Sequence, residues 1–355
     1  MTSPVTCASL SLLAALAAVP LTAQTTVVSP AGSDLEEGPE NNTIPFWSQS
    51  ATYQQIHDDA EMRRLNNGAP MVLRAIGFRP DTTAAMPPRA LDVEITLSWT
   101  TVTAQAANAS FSANLGSNAT VVLPFTNVSL PQVTGTGGPN PVGWLVPFAN
   151  PFPWAPGNGF VWQWRHRNAA STAWATIDAV SMSRVTELPA AGPGCIPTGR
   201  NAASAINPRE LDLGGGRYRN VLTNALPNTP ALQMIGFTQQ TLPVPGLCAP
   251  LQIVPVVTLT GATDATGSWD SDLTGLPNLL GFPRFDVWSQ FAWFDAGQST
   301  IPFGVSNAVG FRSPFPGSWN IARIWAGPYN GSGGFENAAS GAAECGYGLV
   351  TAFQF

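Results

Sequence analysis

Apolar and polar side chains alternate along much of the chain with the period of two that is typical of β-strands. The clearest case is residues 91–99, where Leu, Val, Ile, Leu and Trp alternate with Asp, Glu, Thr and Ser. Because alternate side chains of a strand point to opposite faces, this segment predicts a strand with one buried and one wet face. Similar segments bounded by turn-forming residues predict further strands at 71–78, 110–115, 119–125, 143–148, 159–165, 173–183, 209–213, 232–238, 251–261, 285–295, 303–311, 321–326 and 348–355.

One segment has a different spacing. Tyr53, Ile56 and Ala60 recur at roughly helical intervals, and the Asn-Asn-Gly sequence at 66–68 ends the pattern. We therefore expect one short helix within residues 50–65, packed on a sheet.

The predicted strands fall into two groups. The sequence LPAAGPG at residues 188–194 is typical of an inter-domain linker because it is rich in small residues, Gly and Pro. Turn signals between the strands on either side favour β-sandwiches. The predicted fold is therefore mainly β, with two β-sandwich (jelly-roll-like) domains in tandem at 44–187 and 195–355 and the short helix in the first. The polar, acidic residues 24–43 predict a flexible leader.

Composition supports this fold class and excludes others. The 355 residues include 34 Gly and 33 Pro, which disfavour helix interiors, and 44% are hydrophobic, enough to bury a core. Only 10% are charged, the formal net charge is −6, and all 15 cations are Arg. The densest basic cluster, residues 165–167, is too small to hold a phosphate backbone, so we expect no nucleic-acid partner.

The amino terminus predicts export. Residues 10–21 (LSLLAALAAVPL) form an apolar segment of signal-peptide length, and small residues place cleavage after Ala23. This segment is too short to span a bilayer, so we expect a signal peptide at 1–23 and no transmembrane segment. We expect the mature chain to be secreted, extracellular or on the outer cell surface.

Export permits disulfide bonds, and three cysteines remain after residue 23. Cys195 and Cys248 each follow a Gly- and Pro-containing turn in one half of the chain, which favours a bridge between them. Cys345 is then the odd thiol, either free or replacing one of the two partners. The spacings do not match a structural zinc site.

Candidate catalytic groups are few. The two histidines, His57 and His166, lie far apart in the sequence, and no Gly-x-Ser-x-Gly elbow occurs, which disfavours both a catalytic triad and a histidine metal site. Asp286 and Asp295 flank an aromatic strand and are the best pair for a glycosidase, which needs two carboxylates across one cleft. We expect no catalytic residues.

Two binding sites are candidates. Asp264, Asp270 and Asp272 lie close to Thr-Gly-Ser turn residues and offer the hard oxygen ligands that suit Ca²⁺, although capping of the turn is the alternative. Trp162 and Trp164 share one strand face, where they could form a platform that stacks on sugar rings. The alternative is that they fill the sandwich core.

Short motifs distributed over much of the chain carry a resemblance to a known family. They are 46–48 (FWS), 53–58 (YQQIHD), 76–81 (IGFRPD), 144–148 (WLVPF), 151–152 (PF), 194–195 (GC), 236–237 (GF), Cys248, 263–267 (TDATG) and 306–307 (SN). In these motifs the chain resembles secreted surface proteins of environmental Gram-negative bacteria. The resemblance implies two exported β domains and the Cys195–Cys248 bridge, and no activity or catalytic residues. This chain departs from the pattern by its residues after Asn307.

The sequence thus favours a secreted, non-catalytic structural or adhesive surface protein. The alternatives are a pair of extracellular carbohydrate-binding modules and, third, a secreted hydrolase. The expected partners are polysaccharide or other cell-surface components, with Ca²⁺ the one cofactor to consider.

Overall fold

The computed structural model describes residues 24–170, 173–182, 185–212, 216–276, 284–298, 300–314, 316–327 and 334–355. The fold is mainly β, as the sequence predicts: strands dominate, accompanied by the α-helix α1 (Asp59–Leu65) and short 3₁₀ helices. The predicted signal peptide at 1–23 lies outside the described residues.

Among the described residues, the first half of the chain forms eleven strands. They are β1 (Thr26–Ser29), β2 (Glu40–Asn42), β3 (Ala51–His57), β4 (Met71–Phe78), β5 (Ala85–Met86), β6 (Arg89–Thr100), β7 (Thr120–Leu130), β8 (Val133–Thr134), β9 (Trp144–Trp154), β10 (Gly159–Arg167) and β11 (Ile177–Ser181).

The second half forms fourteen more. They are β12 (Thr186–Ala191), β13 (Ala205–Asp212), β14 (Arg217–Thr223), β15 (Pro230–Gly236), β16 (Thr238–Leu242), β17 (Leu251–Val254), β18 (Val257–Ala262), β19 (Trp269–Thr274), β20 (Asp286–Phe294), β21 (Phe303–Arg312), β22 (Ile321–Ala326), β23 (Ala342–Cys345), β24 (Tyr347–Leu349) and β25 (Thr351–Gln354). The 3₁₀ helices are Ala104–Ala106, Phe111–Asn114, Pro316–Asn320 and Phe335–Asn337.

These strands form antiparallel sheets. The largest has six strands in the order β23-β22-β3-β10-β6-β7, and a four-stranded sheet has the order β1-β25-β4-β9. A three-stranded sheet joins β2, β11 and β24. The strands from β12 to β21 form a five-stranded sheet, β12-β21-β20-β15-β18, a three-stranded sheet, β13-β14-β19, and the pair β16-β17, while β5 pairs with β8.

The last strands of the chain return to its first half. β22 pairs with β3, β24 with β11, and β25 with β1 and β4. Residues 321–354 therefore continue the sheets of the first half, although the predicted second domain ran to residue 355. Residues 188–191 of the predicted linker lie in β12, which pairs with β21. Alternation fixes which face of a strand is buried but not its partner strand, and the division into two domains stays a prediction.

The predicted short helix is confirmed as α1, but it begins only at Asp59, and the first part of the segment is strand β3. β3 is central in its sheet, all seven of its residues are buried, and its inward polar residues hide the alternation. The predicted strand at 110–115 is the 3₁₀ helix Phe111–Asn114. The Asn114 side chain bonds the backbone of Asn108 in both directions, at 2.9 and 2.8 Å, and so stabilises the turn.

The predicted leader is tied to the rest of the chain. It contributes β1 and β2, and Arg79 donates hydrogen bonds to the carbonyl oxygens of Ser33 (2.5 Å) and Glu36 (3.0 Å). The Glu36 carboxylate also lies 2.7 Å from Arg284, near the start of β20. A backbone with these partners is ordered where the sequence predicts flexibility.

Aromatic rings fill the interior of the first-half sheets. Phe46 contacts Phe78, Trp144 and Trp164 in edge-to-face arrangements with centroids 5.1–5.4 Å apart. A second core lies among the strands from β13 to β21, around Phe291 and Trp293.

Candidate functional site

The outer face of the six-stranded sheet carries a cleft of about 320 Å³. Its floor is formed by β3 and β10, and its walls by the 3₁₀ helices Phe111–Asn114 and Phe335–Asn337 with the residues beside them. The lining residues are Thr52, Phe111, Ser112, Leu115, Gln163, Arg165, Glu336, Asn337, Ala338 and Ala339.

The floor follows from the alternation of β10. Trp162 and Trp164 point into the core, so Gln163 and Arg165, which alternate with them, point to the outer face. Gln163 pairs in register with Gln54 of β3, and Arg165 pairs with Thr52 of β3 and Glu94 of β6. Polar side chains of three neighbouring strands are thereby brought to one face of the sheet, where Thr52 and Gln54 are buried and Gln163 is 9% exposed.

Gln54 holds the first wall in place. Its amide nitrogen donates to the carbonyl oxygen of Phe111 at 3.0 Å, and its oxygen accepts from the Asn114 side chain at 2.8 Å. Phe111 and Leu115 give this wall an apolar surface. The same Gln54 nitrogen donates to Gln163 Oε1 at 3.2 Å, and the Gln163 NH₂ group donates to no residue that the structure describes.

The second wall is held by Thr52 and Arg165. The Thr52 hydroxyl donates to the carbonyl oxygen of Phe335 at 2.7 Å. Arg165 donates to the carbonyl oxygen of Glu336 at 2.5 Å and to Oδ1 of Asn337 at 2.6 Å. Its third bond, 2.6 Å long, goes to the Glu94 carboxylate. The Arg165 guanidinium therefore holds the second wall against the sheet, and the Glu94 carboxylate balances its positive charge.

The cleft combines amide, hydroxyl and carboxylate groups with an apolar wall. Directional donors and acceptors beside an apolar surface are what a polyhydroxylated ring needs, because its hydroxyls bond the polar groups while its C–H face packs on the wall.

Trp162 and Trp164 do not form the predicted glycan platform. Both have 0% exposure, and Trp162 stacks on Tyr53 at 5.2 Å inside the core. The prediction that they share one strand face is right, but that face is the inner one. They cannot contact a ligand at the surface, and the expectation of a platform there is wrong.

The structure does not bring Asp264, Asp270 and Asp272 together as a calcium site. Asp264 accepts hydrogen bonds from the backbone N–H groups of Thr266 (2.8 Å) and Ser268 (2.9 Å), which caps its own turn. Asp270 and Asp272 each form a two-bond pair with an arginine of β14, Arg219 and Arg217. These hydrogen bonds hold the pKa of both carboxyls below their usual range. All three carboxylates therefore accept hydrogen bonds from groups within the protein.

Asp286 and Asp295 also lie apart. They flank β20, a nine-residue strand, which separates them by roughly 30 Å at the usual rise per residue. Asp286 pairs with Arg312 at 2.7 Å, and Asp295 accepts from the backbone of Thr198 at 2.9 Å. Two carboxylates at this distance cannot flank one glycosidic bond.

Both histidines are fully buried. The Nδ1 atom of His57 lies 2.9 Å from the Ser29 hydroxyl, which in turn lies 3.0 Å from the Glu61 carboxylate. Serine stands between histidine and acid in this chain of bonds, so the imidazole does not take the serine proton as it would in a catalytic triad. Sequence reasoning missed this group because its three members lie on β1, β3 and α1.

A cluster of three carboxylates is a second group that sequence reasoning missed. Ligand atoms of Glu37, Asp81 and Asp178 lie within 4.8 Å of one another, and among the described residues this is the one set with the geometry to hold a metal ion. Burial raises the pKa of Asp178 to about 7, although Arg79 opposes the shift, and raises that of Asp81 to about 6. Arg79 donates to Asp178 at 2.7 Å, so a guanidinium already neutralises part of the cluster.

Cys195 and Cys248 are joined by a disulfide bond with their Cα atoms 5.6 Å apart, as the sequence predicts. Cys345 is the free cysteine and is half-buried. In the part of the chain that the structure describes, no helix has the length and hydrophobicity of a membrane span.

Comparison with known protein families, curated proteins and solved structures finds no match to this chain.

Proposed function

We propose that this protein is a non-catalytic, adhesive surface protein that binds a polysaccharide in the outer-face cleft. Export to the cell surface follows from the apolar segment at 10–21 and stays a prediction of the sequence. The cleft replaces the Trp162–Trp164 platform as the place where a sugar would bind.

The single observation that carries this proposal is the pattern of hydrogen bonds made by the side chains of the cleft floor. Gln54, Thr52 and Arg165 use their hydrogen bonds to hold the two walls, while Gln163 keeps its NH₂ group for a ligand. A preformed, polar recess of this kind binds without first ordering its own side chains, which lowers the entropic cost of association.

The test is binding of neutral, amino-substituted and acidic polysaccharides, measured on a glycan array and then by calorimetry with the oligosaccharides that bind. We expect Gln163→Ala to weaken binding by about tenfold, the effect of one lost hydrogen bond to a ligand. Gln240→Ala is the matched control, because Gln240 is exposed on β16 and does not line the cleft.

Two results would count against the proposal. One is the absence of binding to any of the three polysaccharide classes. The other is equal weakening by Gln163→Ala and Gln240→Ala, which would place the binding surface elsewhere on the molecule.

A further inference from the structure

Strand β1 is an edge of its four-stranded sheet and lines a second cleft, of about 380 Å³. On its other side β1 pairs with β25. The N–H groups of Thr25 and Phe355 donate to each other's carbonyl oxygens at 3.0 and 3.1 Å, so these two residues form a hydrogen-bonded pair of the antiparallel ladder. Because bonded and non-bonded pairs alternate along such a ladder, the backbone groups of Thr26 and Val28 point away from β25.

These outward backbone groups of Thr26 and Val28 have no hydrogen-bond partner among the described residues. Both residues line the cleft, where Thr26 is exposed and Val28 is half-buried, so a ligand in the cleft reaches this edge of the sheet. Their two N–H donors and two carbonyl acceptors are spaced two residues apart. This spacing matches the backbone of an extended peptide, which would add a strand to the sheet.

The other walls of this cleft carry one charge of each sign. Arg64 lies near the end of α1, and Asp34 lies in the turn that follows β1. The Arg64 side chain is 47% exposed, and its ion pair with Glu61 is long, at 3.8 Å. Asp34 is exposed and forms no ion pair with any described residue. An extended peptide with one acidic and one basic side chain would complement both charges.

The length of the free edge favours a peptide over a second copy of the chain. β1 has four residues, which span roughly 13 Å at the usual rise per residue. A stable protein–protein interface buries about 800 Å² on each partner, and an edge of this length supplies little of that area. The same edge is long enough to pair with a peptide of about four to six residues.

We infer that the cleft beside β1 binds an extended peptide segment of a partner protein. The segment pairs through its backbone with the free edge of β1, and it carries an acidic group for Arg64 and a basic group for Asp34. This cleft is separate from the outer-face cleft of the six-stranded sheet, so the inference does not rest on polysaccharide binding.

The test is calorimetry on the intact protein with end-capped hexapeptides of alternating Val and Thr, which favour the extended conformation. Two peptides carry Glu at one end and Arg at the other, in the two possible orders, and a third carries Gln at both ends. A fourth repeats the tighter-binding charged peptide with its amide nitrogens methylated. We expect a charged peptide to bind, the neutral one to bind about threefold to tenfold more weakly, and the methylated one, which has no N–H donors, not to bind.

Variants of the protein test the same contacts from the other side. Val28→Pro removes an outward N–H group, which an edge strand tolerates, and should weaken binding by about tenfold. Arg64→Gln should weaken binding of the charged peptide by about threefold without any change to the backbone of β1. Arg63→Gln is the matched control, because Arg63 is half exposed on the same helix and does not line the cleft.

Three results would overturn the inference. The first is the absence of binding to all of the peptides. The second is equal affinity for a charged peptide and its methylated form, since backbone pairing would then play no part. The third is a dimer in light scattering that Val28→Pro dissociates, because this edge would then belong to a second copy of the chain. None of the three bears on the binding of polysaccharide in the outer-face cleft.

Discussion

The indole N–H of Trp162 donates a hydrogen bond of 3.1 Å to Nε2 of His57, and neither side chain is exposed to solvent. Because Nε2 accepts this bond, the ring proton lies on Nδ1 and is donated to the Ser29 hydroxyl, which donates to Glu61. A tryptophan considered for a glycan platform and a histidine considered for catalysis therefore form a hydrogen bond to each other in the core.

Both histidines should stay neutral well below their ordinary pKa. Burial lowers the pKa of His57 to about 3 and that of His166 to about 4, because the charged imidazolium is poorly solvated in the interior. We expect the imidazole C2–H resonances of both to keep their positions from pH 7 to pH 5 in NMR spectra of the native protein. A titration with a midpoint near 6.5 would show that the side chains reach water.

The lowered pKa values of the two histidines also determine how the free energy of unfolding changes with pH. The unfolded histidines bind protons near pH 6.5, whereas the folded ones do not until much lower pH. Their contribution to the free energy of unfolding is fully present above pH 6.5 and is lost as the pH falls toward 4. A denaturation series on His166→Asn should therefore show a smaller loss of stability between pH 6.5 and 5 than the parent protein shows. An unchanged slope would contradict this assignment.

Truncation of a core tryptophan should destabilise the fold. Trp164 is fully buried against Phe46 and Phe78, so Trp164→Ala should lower the free energy of unfolding by about 3–5 kcal/mol in urea denaturation. Trp174→Ala is the matched control, because Trp174 is 69% exposed and its loss should change stability by about 0.5 kcal/mol or less. Equal effects of the two substitutions would mean that Trp164 is not a core residue.

Removal of the disulfide should also destabilise the protein. Cys195 and Cys248 are 53 residues apart, and the chain-entropy model assigns a loop of this length about 4 kcal/mol. We expect Cys195→Ser to lower the free energy of unfolding by about this amount and Cys345→Ser to change it little. Peptide mapping under non-reducing conditions checks the pairing, and a Cys345 peptide linked to either partner would contradict it.

Substitution of Arg79 should lower the free energy of unfolding more at high pH than at low pH. Arg79→Met leaves Asp178 buried without its cation, which should destabilise the fold by about 3–5 kcal/mol near neutral pH. The Arg79 guanidinium lowers the pKa of Asp178, so its loss should raise that pKa above the parent value of about 7. The variant should then gain more stability than the parent from protonation of Asp178 as the pH falls from 8 to 5, which reduces the difference in their free energies of unfolding.

Arg74→Met is the control for that experiment, because Arg74 is exposed on the same strand, β4. Its stability should match the parent protein within about 0.5 kcal/mol at both pH values. A deficit in Arg79→Met that does not change with pH would show that the neighbouring carboxylates do not take up a proton.

The sequence predicted strands well where one face of the strand is wet. Residues 91–99 alternate cleanly because part of the outer face of β6, at Asp92 and Glu94, is partly exposed, and the structure confirms the strand at Arg89–Thr100. The sequence did not predict β3 because both of its faces are covered, and Gln54, Gln55 and His57 are buried together with the apolar residues. When both faces of a strand are buried, its polar and apolar residues need not alternate, so the sequence does not show the period of two that identifies a strand.

The cleft could not be predicted from the sequence, for a different reason. The alternation of Trp162 and Trp164 with Gln163 and Arg165 predicts two faces, but not which of them is covered. The walls of the cleft come from residues 111–115 and 336–339, which only the pairing of β22 with β3 and the bonds from Thr52 and Gln54 bring to the floor. Contacts this distant along the chain leave no local pattern.

The most direct test of a ligand-binding cleft is to fill it. Ser112 is exposed in the first wall, so Ser112→Trp should occupy the cleft without disturbing the sheet beneath it, while Thr260→Trp on the exposed surface of β18 controls for the added ring. The measurement is calorimetric binding of the oligosaccharide that binds most tightly on the glycan array. We predict that Ser112→Trp abolishes binding and that Thr260→Trp leaves it unchanged; undiminished binding to the Ser112→Trp variant would contradict the assignment of the cleft as the binding site.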